Sequence, residues 1–335
     1  MDTHLLLYVL VLVALIVMIP ICLRIVNGPA FKQKRNEVVV REPGRHFLGK
    51  PKPVLTEVRN DFEFALLSQA VYQHKPDAKA IQADQCVDAD GLLASLGWTQ
   101  WKNFSDQKSE ELFTQFHLRV EVWSHASTSR VAVTFAGTEV TNLQDWRANL
   151  RWFLPHHPDE YTIVVTNFGA DFVNEWDRRR TQPGWEFLNN AHLFSTGHSL
   201  GGGLCQEFAY SLPTSSPTVP RVAHVYAFDP SPVTGFYSVK RHLRDQNRKG
   251  LAIDRIYERG EVLSVLRSLV YFVKPPSVRN PAIRQVRYNL FSAWGAIAKH
   301  SIDRLACKLY DIVKNEIDVS GSPASPPPTV ETLAR

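Results

Sequence analysis

The sequence predicts an α/β fold, with a mostly parallel sheet covered by helices on both faces and a membrane-spanning helix in front of it. Two patterns and one bound carry this reading. Short β-type runs at 130–135, 192–196, 221–228 and 251–257 each end in a polar or turn-forming cluster. The first two are each followed by a stretch with apolar residues at helical spacing. The 335 residues, 44% of them hydrophobic, suffice to bury one large core.

The N-terminal run LLLYVLVLVALIVMIPICL, residues 5–23, carries no charge. At about 1.5 Å per residue such a helix spans roughly 30 Å of hydrocarbon. A cleaved signal would need a basic start, a shorter apolar core and a small-residue cleavage site. Only Asp2 and His4 accompany this start, and no Ala-x-Ala follows. The expectation is a retained anchor over 1–24. Arg24, Lys32, Lys34 and Arg35 all follow the run and no Lys or Arg precedes it, so the positive-inside rule places the body in the cytoplasm. Residues 25–58 read as a basic tether, 59–318 as the folded domain and the Ser/Pro-rich 319–335 as a disordered tail.

The net charge of +5 is modest, and Arg and Lys are scattered along the chain. Without a zinc-finger or RNA-binding signature, nucleic acid is not an expected partner. The basic balance fits a solvated surface with some attraction to anionic lipid head groups. Cys22, Cys86, Cys205 and Cys307 include no closely spaced pair, so neither a disulfide framework nor a metal site is expected. Four free thiols fit a reducing compartment.

Within the domain, DFEFALLSQAVY (61–72) has helical spacing and an N-cap in Asn60 or Asp61. An irregular stretch to about 110 follows. Its Asp84, Asp88, Asp90 and Gly91 resemble a calcium loop, but Cys86 stands where an oxygen ligand is required, so a solvated loop is expected. Residues 116–124 alternate as a strand, 130–135 form a nearly continuous apolar strand, and 141–153 have helical spacing. Strand 192–196 leads into a helix over 199–212, and 221–228 and 251–257 are buried-type strands.

The sharpest signal is Gly197-His198-Ser199-Leu200-Gly201, a G-x-S-x-G between an apolar strand and a helix with Leu204, Phe208 and Leu212 on one stripe. A serine at so tight a turn takes an unfavourable backbone conformation, and its flanking positions must be small. The turn lifts the hydroxyl above the sheet edge. It also aims the next helix's N-terminus at a reacting carbonyl, where negative charge develops. Ser199 is therefore the candidate nucleophile.

The GHSLGG elbow, together with VAVTFAGTEVTNLQDWRANL (131–150), resembles the class 3, or fungal-type, lipases of the α/β-hydrolase superfamily. The resemblance covers about 60–305. In that family the elbow is paired with a strand ending Phe-Arg-Gly-Thr or Phe-Arg-Gly-Ser, then Asp-Trp and a short helix. Here the strand ends Phe135-Ala136-Gly137-Thr138, and Asp145-Trp146 follow, so Ala136 replaces the family's arginine. The resemblance implies oxyanion-hole amides from Thr138 and Leu200, which agrees with the need for two converging donors. It also implies a lid in the aromatic-rich 141–154, although apolar residues at helical spacing more often form core.

A base and an acid must follow the serine in the order Ser, acid, His. Of the later histidines, His224 lies within a strand and His242 in the basic VKRHLRDQNRK, whereas His300 sits late in a mixed polar context after FSAWGAIAK, itself of helical spacing. His300 is the chosen base. The acid should follow the second strand after the elbow. Resemblance to the family's strand-turn-Asp pattern selects Glu261, with glutamate in place of aspartate. Asp229, at the end of the preceding strand, is the alternative, and Glu258 and Asp254 stay open.

The expected activity is hydrolysis of lipid carboxylic esters through an acyl-enzyme, with no metal or organic cofactor and with a membrane and an apolar ester as partners. The competing expectation is a catalytically degenerate hydrolase fold acting as a membrane-tethered binding or scaffold protein, motivated by Ala136 and Glu261.

Overall fold

The computed structural model describes residues 32–74, 88–116, 118–136, 158–231, 234–261, 263, 277, 280–292, 295 and 298–320. Among these, strands β1 (Glu37–Arg41), β2 (Lys52–Pro53), β3 (Thr99–Gln100), β4 (Val120–His125), β5 (Arg130–Phe135), β6 (His192–His198), β7 (Val222–Phe228), β8 (Ala252–Glu258) and β9 (Ala282–Asn289) form one sheet in the order β2-β1-β9-β8-β7-β6-β5-β4-β3. The pairs from β5 through β9 are parallel, and antiparallel strands close both edges. A sheet buried on both faces needs strands that are apolar on both sides, and VAVTF of β5 and VAHVYAF of β7 meet that need.

Successive residues of β6 serve opposite layers, as a pleated strand requires. Phe194 joins one apolar layer with α1 (Leu55–Gln73), α2 (Ala89–Ser95) and α7 (Ile302–Ser320). Leu193 joins the other with α3 (Lys102–Phe116), α4 (Pro158–Arg180) and α5 (Leu200–Ser211). The short α6 (Arg241–Asn247) packs Leu243 against that second layer. Serine and threonine on β6 fasten the layers. The Ser195 hydroxyl donates to Cys205 O of α5 at 2.9 Å, and Thr196 Oγ1 meets Ser68 Oγ of α1 at 2.7 Å.

Several expectations are corrected. The stretch after 73 is not all loop, because α2, β3 and α3 lie within its described part. Asp88 caps α2 by accepting Gly91 N at 3.1 Å, and Asp90 accepts from His74 at 2.6 Å. Helix α3 escaped notice because its inward face is partly polar: Ser105 and Ser109 are buried and bond the β4 backbone. Part of the expected tether, Glu37–Arg41, is β1, antiparallel to β9 in the sheet. The helical reading of FSAWGAIAK fails where it is described, since Phe291 and Ser292 are non-helical and only Ala298–His300 form a 3-10 turn.

The single-pass anchor with a cytoplasmic body is also corrected. Among the described residues no helix is long and apolar enough to cross a membrane, and the 5–23 run lies outside them. The described helices of sufficient length are charged and packed on the sheet; Arg59 of α1 pairs with Glu316 of α7. Cys307 is disulfide-bonded, so the argument from four free thiols to a reducing compartment falls. Cys205 is a free, buried thiol that burial pushes up from its ordinary value.

At the sheet's antiparallel edge, His74 lies 2.6 Å from Asp90 and 2.8 Å from Glu121. The hydrogen bond to Asp90, then that to Glu121, pushes the imidazole up to about 10 from an ordinary 6.5. A pKa raised by folding contributes stability that is complete below the unfolded value and lost as pH rises through the folded one. The stability gap between wild type and His74→Gln is therefore expected to be widest near pH 6 and to shrink steadily toward pH 10, as read by urea unfolding. A gap that stays constant over that window contradicts the assignment.

Candidate active site

The strand β6 delivers Ser199 into α5 through one distorted residue. Ser199 has φ 57° and ψ −119°, a sparsely populated region for a residue with a side chain. Its backbone is held from both sides. Ser199 N donates to Phe228 O at 3.0 Å, while Ser199 O accepts Gly202 N at 3.1 Å and Ser231 N at 2.9 Å. Gly197 is required by space, because a β-carbon there would collide with the carbonyl oxygens of Gly201 and Phe135. The serine is half-buried, between the sealed strand before it and the buried helix after it.

His300 reaches this hydroxyl from the 3-10 turn before α7. Its Nε2 lies 3.1 Å from Ser199 Oγ and its Nδ1 lies 3.1 Å from Glu261 Oε2. An ionised carboxylate can only accept, so Nδ1 carries the proton and Nε2 of the neutral ring is the acceptor for the serine hydroxyl. Glu261 sits after β8 in a turn whose Gly260 has φ 77°, and the same Oε2 accepts Leu263 N at 2.8 Å. The carboxylate is almost fully buried, which strengthens its hold on the ring.

The remaining candidates are placed elsewhere. Glu258 accepts Leu290 N at 2.9 Å and Phe291 N at 3.2 Å, tying the ends of β8 and β9 together, and burial pushes its carboxyl up to about 7. Asp254 lies mid-strand, 3.0 Å from Arg284 and 3.2 Å from His224. Burial opposes its charge, yet Arg284 and His224 hold it below its ordinary value. His224 is thus a buried strand residue, stacked on Tyr226, and His242 is exposed on α6. Asp229 is fully buried with φ 41°, and its carboxylate is 3.9 Å from His198 Nε2 rather than hydrogen-bonded to His300.

His198 points away from the serine beside it. Its Nε2 donates to His300 O at 2.7 Å, and the Tyr72 hydroxyl donates to His198 O at 3.2 Å. This chain fastens the turn that bears His300 to the elbow and to the end of α1. The sequence held no period or motif for it beyond the tyrosine closing the α1 apolar pattern. Donor atoms of His198, Asp229 and His300 all lie within 4.8 Å of one another, a set of metal-ligand type, although both imidazoles are already engaged as described.

Of the two expected oxyanion donors, Leu200 opens α5, where backbone N–H groups have no intrahelical partner. Thr138 and the 141–154 segment lie outside the described residues. Ala136 is buried at the end of β5, with its amide donating to Arg119 O at 3.0 Å.

Residues 63–218 match a family model described as a Tle-like phospholipase domain. No curated protein matches the whole-sequence comparison. Among solved structures, a lipase from Rhizopus microsporus var. chinensis is 11% identical with a TM-score of 0.39, over 62% of this chain and 67% of that one. A Rhizomucor miehei lipase propeptide complex is 14% identical at 0.40, over 69% and 67%. Lipase II from Rhizopus niveus is 12% identical at 0.40, over 70% and 79%. The chain therefore resembles the Tle-like phospholipases over residues 63–218, and its own fold is an α/β sheet, parallel from β5 through β9, with helices on both faces.

Proposed function

We propose that this chain is a serine hydrolase that cleaves carboxylic esters of lipids through an acyl-enzyme, with Ser199 as nucleophile, His300 as base and Glu261 as the orienting acid. The carrying observation is the continuous pair of 3.1 Å contacts from Ser199 Oγ to His300 and from His300 to Glu261. The domain match over 63–218 supports lipid ester hydrolysis at the level of the family.

In this reading Ser199 Oγ attacks the acyl carbonyl carbon while His300 Nε2 takes its proton. Glu261 holds the ring in the tautomer that leaves Nε2 free to accept, and it stabilises the imidazolium that forms. The tetrahedral oxyanion is met by the Leu200 amide and the N-terminal end of α5. Thr138 supplies the second amide by the family resemblance. Collapse expels the alcohol, protonated by His300. Water then attacks the acyl-enzyme with the same imidazole as base, and Ser199 regains its proton.

Ser199→Ala is expected to abolish labelling of the full chain by a fluorophosphonate probe and to lower ester hydrolysis by on the order of 10⁴-fold or more. Undiminished labelling of that variant refutes the nucleophile, and no labelling of the wild type favours the degenerate binding protein. The two carboxylates are separated by a second comparison. Glu261→Gln should lower kcat for a p-nitrophenyl ester by roughly 10²- to 10⁴-fold, since an amide can hold the ring in the wrong tautomer. Asp229→Asn should cost far less. The reverse ranking transfers the acid role to Asp229.

A further inference from the structure

We propose that the sheet edge carrying Ser199 also carries a basic rim that seats the molecule on an anionic phospholipid surface, an inference that rests on the hydrolase reading for its purpose but not for its test. The cations are scattered in sequence and gathered by topology. Parallel pairing puts the C-terminal ends of β6, β8 and β9 at one edge. Antiparallel pairing sets Glu37 of β1 opposite Asn289, the last residue of β9, so the segment entering β1 arrives at that same edge. Lys32, Lys34 and Arg35 are exposed on it.

That segment is fixed to the edge by Gln33. Its carbonyl accepts Arg259 Nη1 at 2.6 Å and Asn289 Nδ2 at 3.2 Å, and its side-chain amide donates to Arg287 O at 2.9 Å. Arg259, half-buried, directly follows β8 and stands two residues before Glu261. Lys299, also half-buried, directly precedes His300, and its Nζ donates to Arg259 O at 3.3 Å. The cations thus run from the entry of β1 to the residue beside the candidate base.

The nearby carboxyls leave the outer side of this rim positive. Glu258 and Glu261 are almost fully buried and engaged by the Leu290, Phe291 and Leu263 amides and by His300. Glu37 is half-buried, accepting Lys34 N at 2.5 Å, and Asp303 is half-buried at the start of α7. Five cations from three separate segments along one edge, rather than in one groove, fit a broad anionic surface. A lipid bilayer bearing anionic head groups is such a surface, and seating on it would bring ester groups to the edge where Ser199 lies.

The test is catalysis-free. Full-length Ser199→Ala protein is partitioned between buffer and sedimenting vesicles of pure phosphatidylcholine or of phosphatidylcholine with 30 mol% phosphatidylglycerol. The ratio of the two partition coefficients cancels whatever the apolar 5–23 run contributes to both. It is expected to be on the order of 10² at low salt and to fall toward one in about 0.5 M NaCl. Lys34→Glu with Arg35→Glu should lower the ratio at least about tenfold. Lys34→Gln with Arg35→Gln should lower it less, and it keeps the test open if the reversed pair misfolds. Arg241→Glu with Arg248→Glu, before the opposite end of β8, should leave it near the parent value. A parent ratio near one overturns the proposal, as does an equal loss from the distal pair, which would mean net charge rather than a rim. Loss of the vesicle preference to a soluble acidic polymer such as heparin at equal charge concentration overturns it in favour of a polyanion site. Absent fluorophosphonate labelling with the ratio intact would instead refute only the hydrolase reading.

Discussion

The strained backbone of Ser199 is the constraint on which the site depends. A residue with a side chain at φ 57° and ψ −119° costs on the order of 1–3 kcal/mol, and the surrounding structure must fix it. It does so with the amides and carbonyls of three neighbouring segments: Phe228 at the end of β7, Ser231 beyond it, and Gly202 in the first turn of α5. The elbow is therefore a property of the β6–β7 pairing and of the strand-to-helix connection together. A β-carbon at Gly197 would push on Gly201 and Phe135 at once, and one at Gly202 would meet Pro230 at 3.0 Å. The turn is closed against substitution on both sides.

The second requirement is that distant chain segments converge on that turn. His300 is 101 residues from Ser199 and Glu261 is 39 from His300. They meet because β8 and β9 extend the parallel sheet beyond β7, and because α7 packs back on α1. His198 closes the arrangement by bonding the backbone of His300, so the residue before Ser199 holds the segment that carries His300. Further from the site, the sheet core is tied by buried charge. Arg284 of β9 lies 3.0 Å from Asp254 and 2.6 Å from Glu57, and Tyr288 donates to Asp61 at 2.6 Å. Burial, and then the Asp254 and Glu57 carboxylates, push Asp61 well above the usual range.

What was legible in the sequence follows from this division. The strand Arg130–Phe135 and the elbow were readable because their signals are local: apolar runs, glycines and one helix start. Chain order, family resemblance and the elimination of a strand histidine and a surface one singled out His300 and Glu261, which the fold brings into contact with each other and, through His300, with Ser199. Strand β9 was not readable, because AIRQVRYN alternates with arginines and glutamine that would mark an exposed strand unless their partners in β8, α1 and the residues before β1 are known. The polar-faced α3 was missed for a related reason, as the buried Ser105 and Ser109 on its inward face weaken the helical period. The basic rim could not be seen at all, since Arg259 meets the segment of Lys34 across 226 residues and Lys299 across 40.

The central claim is that the strained turn presents Ser199 to an acyl carbonyl as a nucleophile. Rapid-quench mixing of the full chain with excess p-nitrophenyl ester, followed by peptide mapping with mass spectrometry, tests it most directly. The account predicts a transient acyl group in near-stoichiometric amount on the peptide containing Ser199, appearing with the burst of p-nitrophenol. Turnover with no acylated peptide, or with the acyl group on another residue, contradicts it.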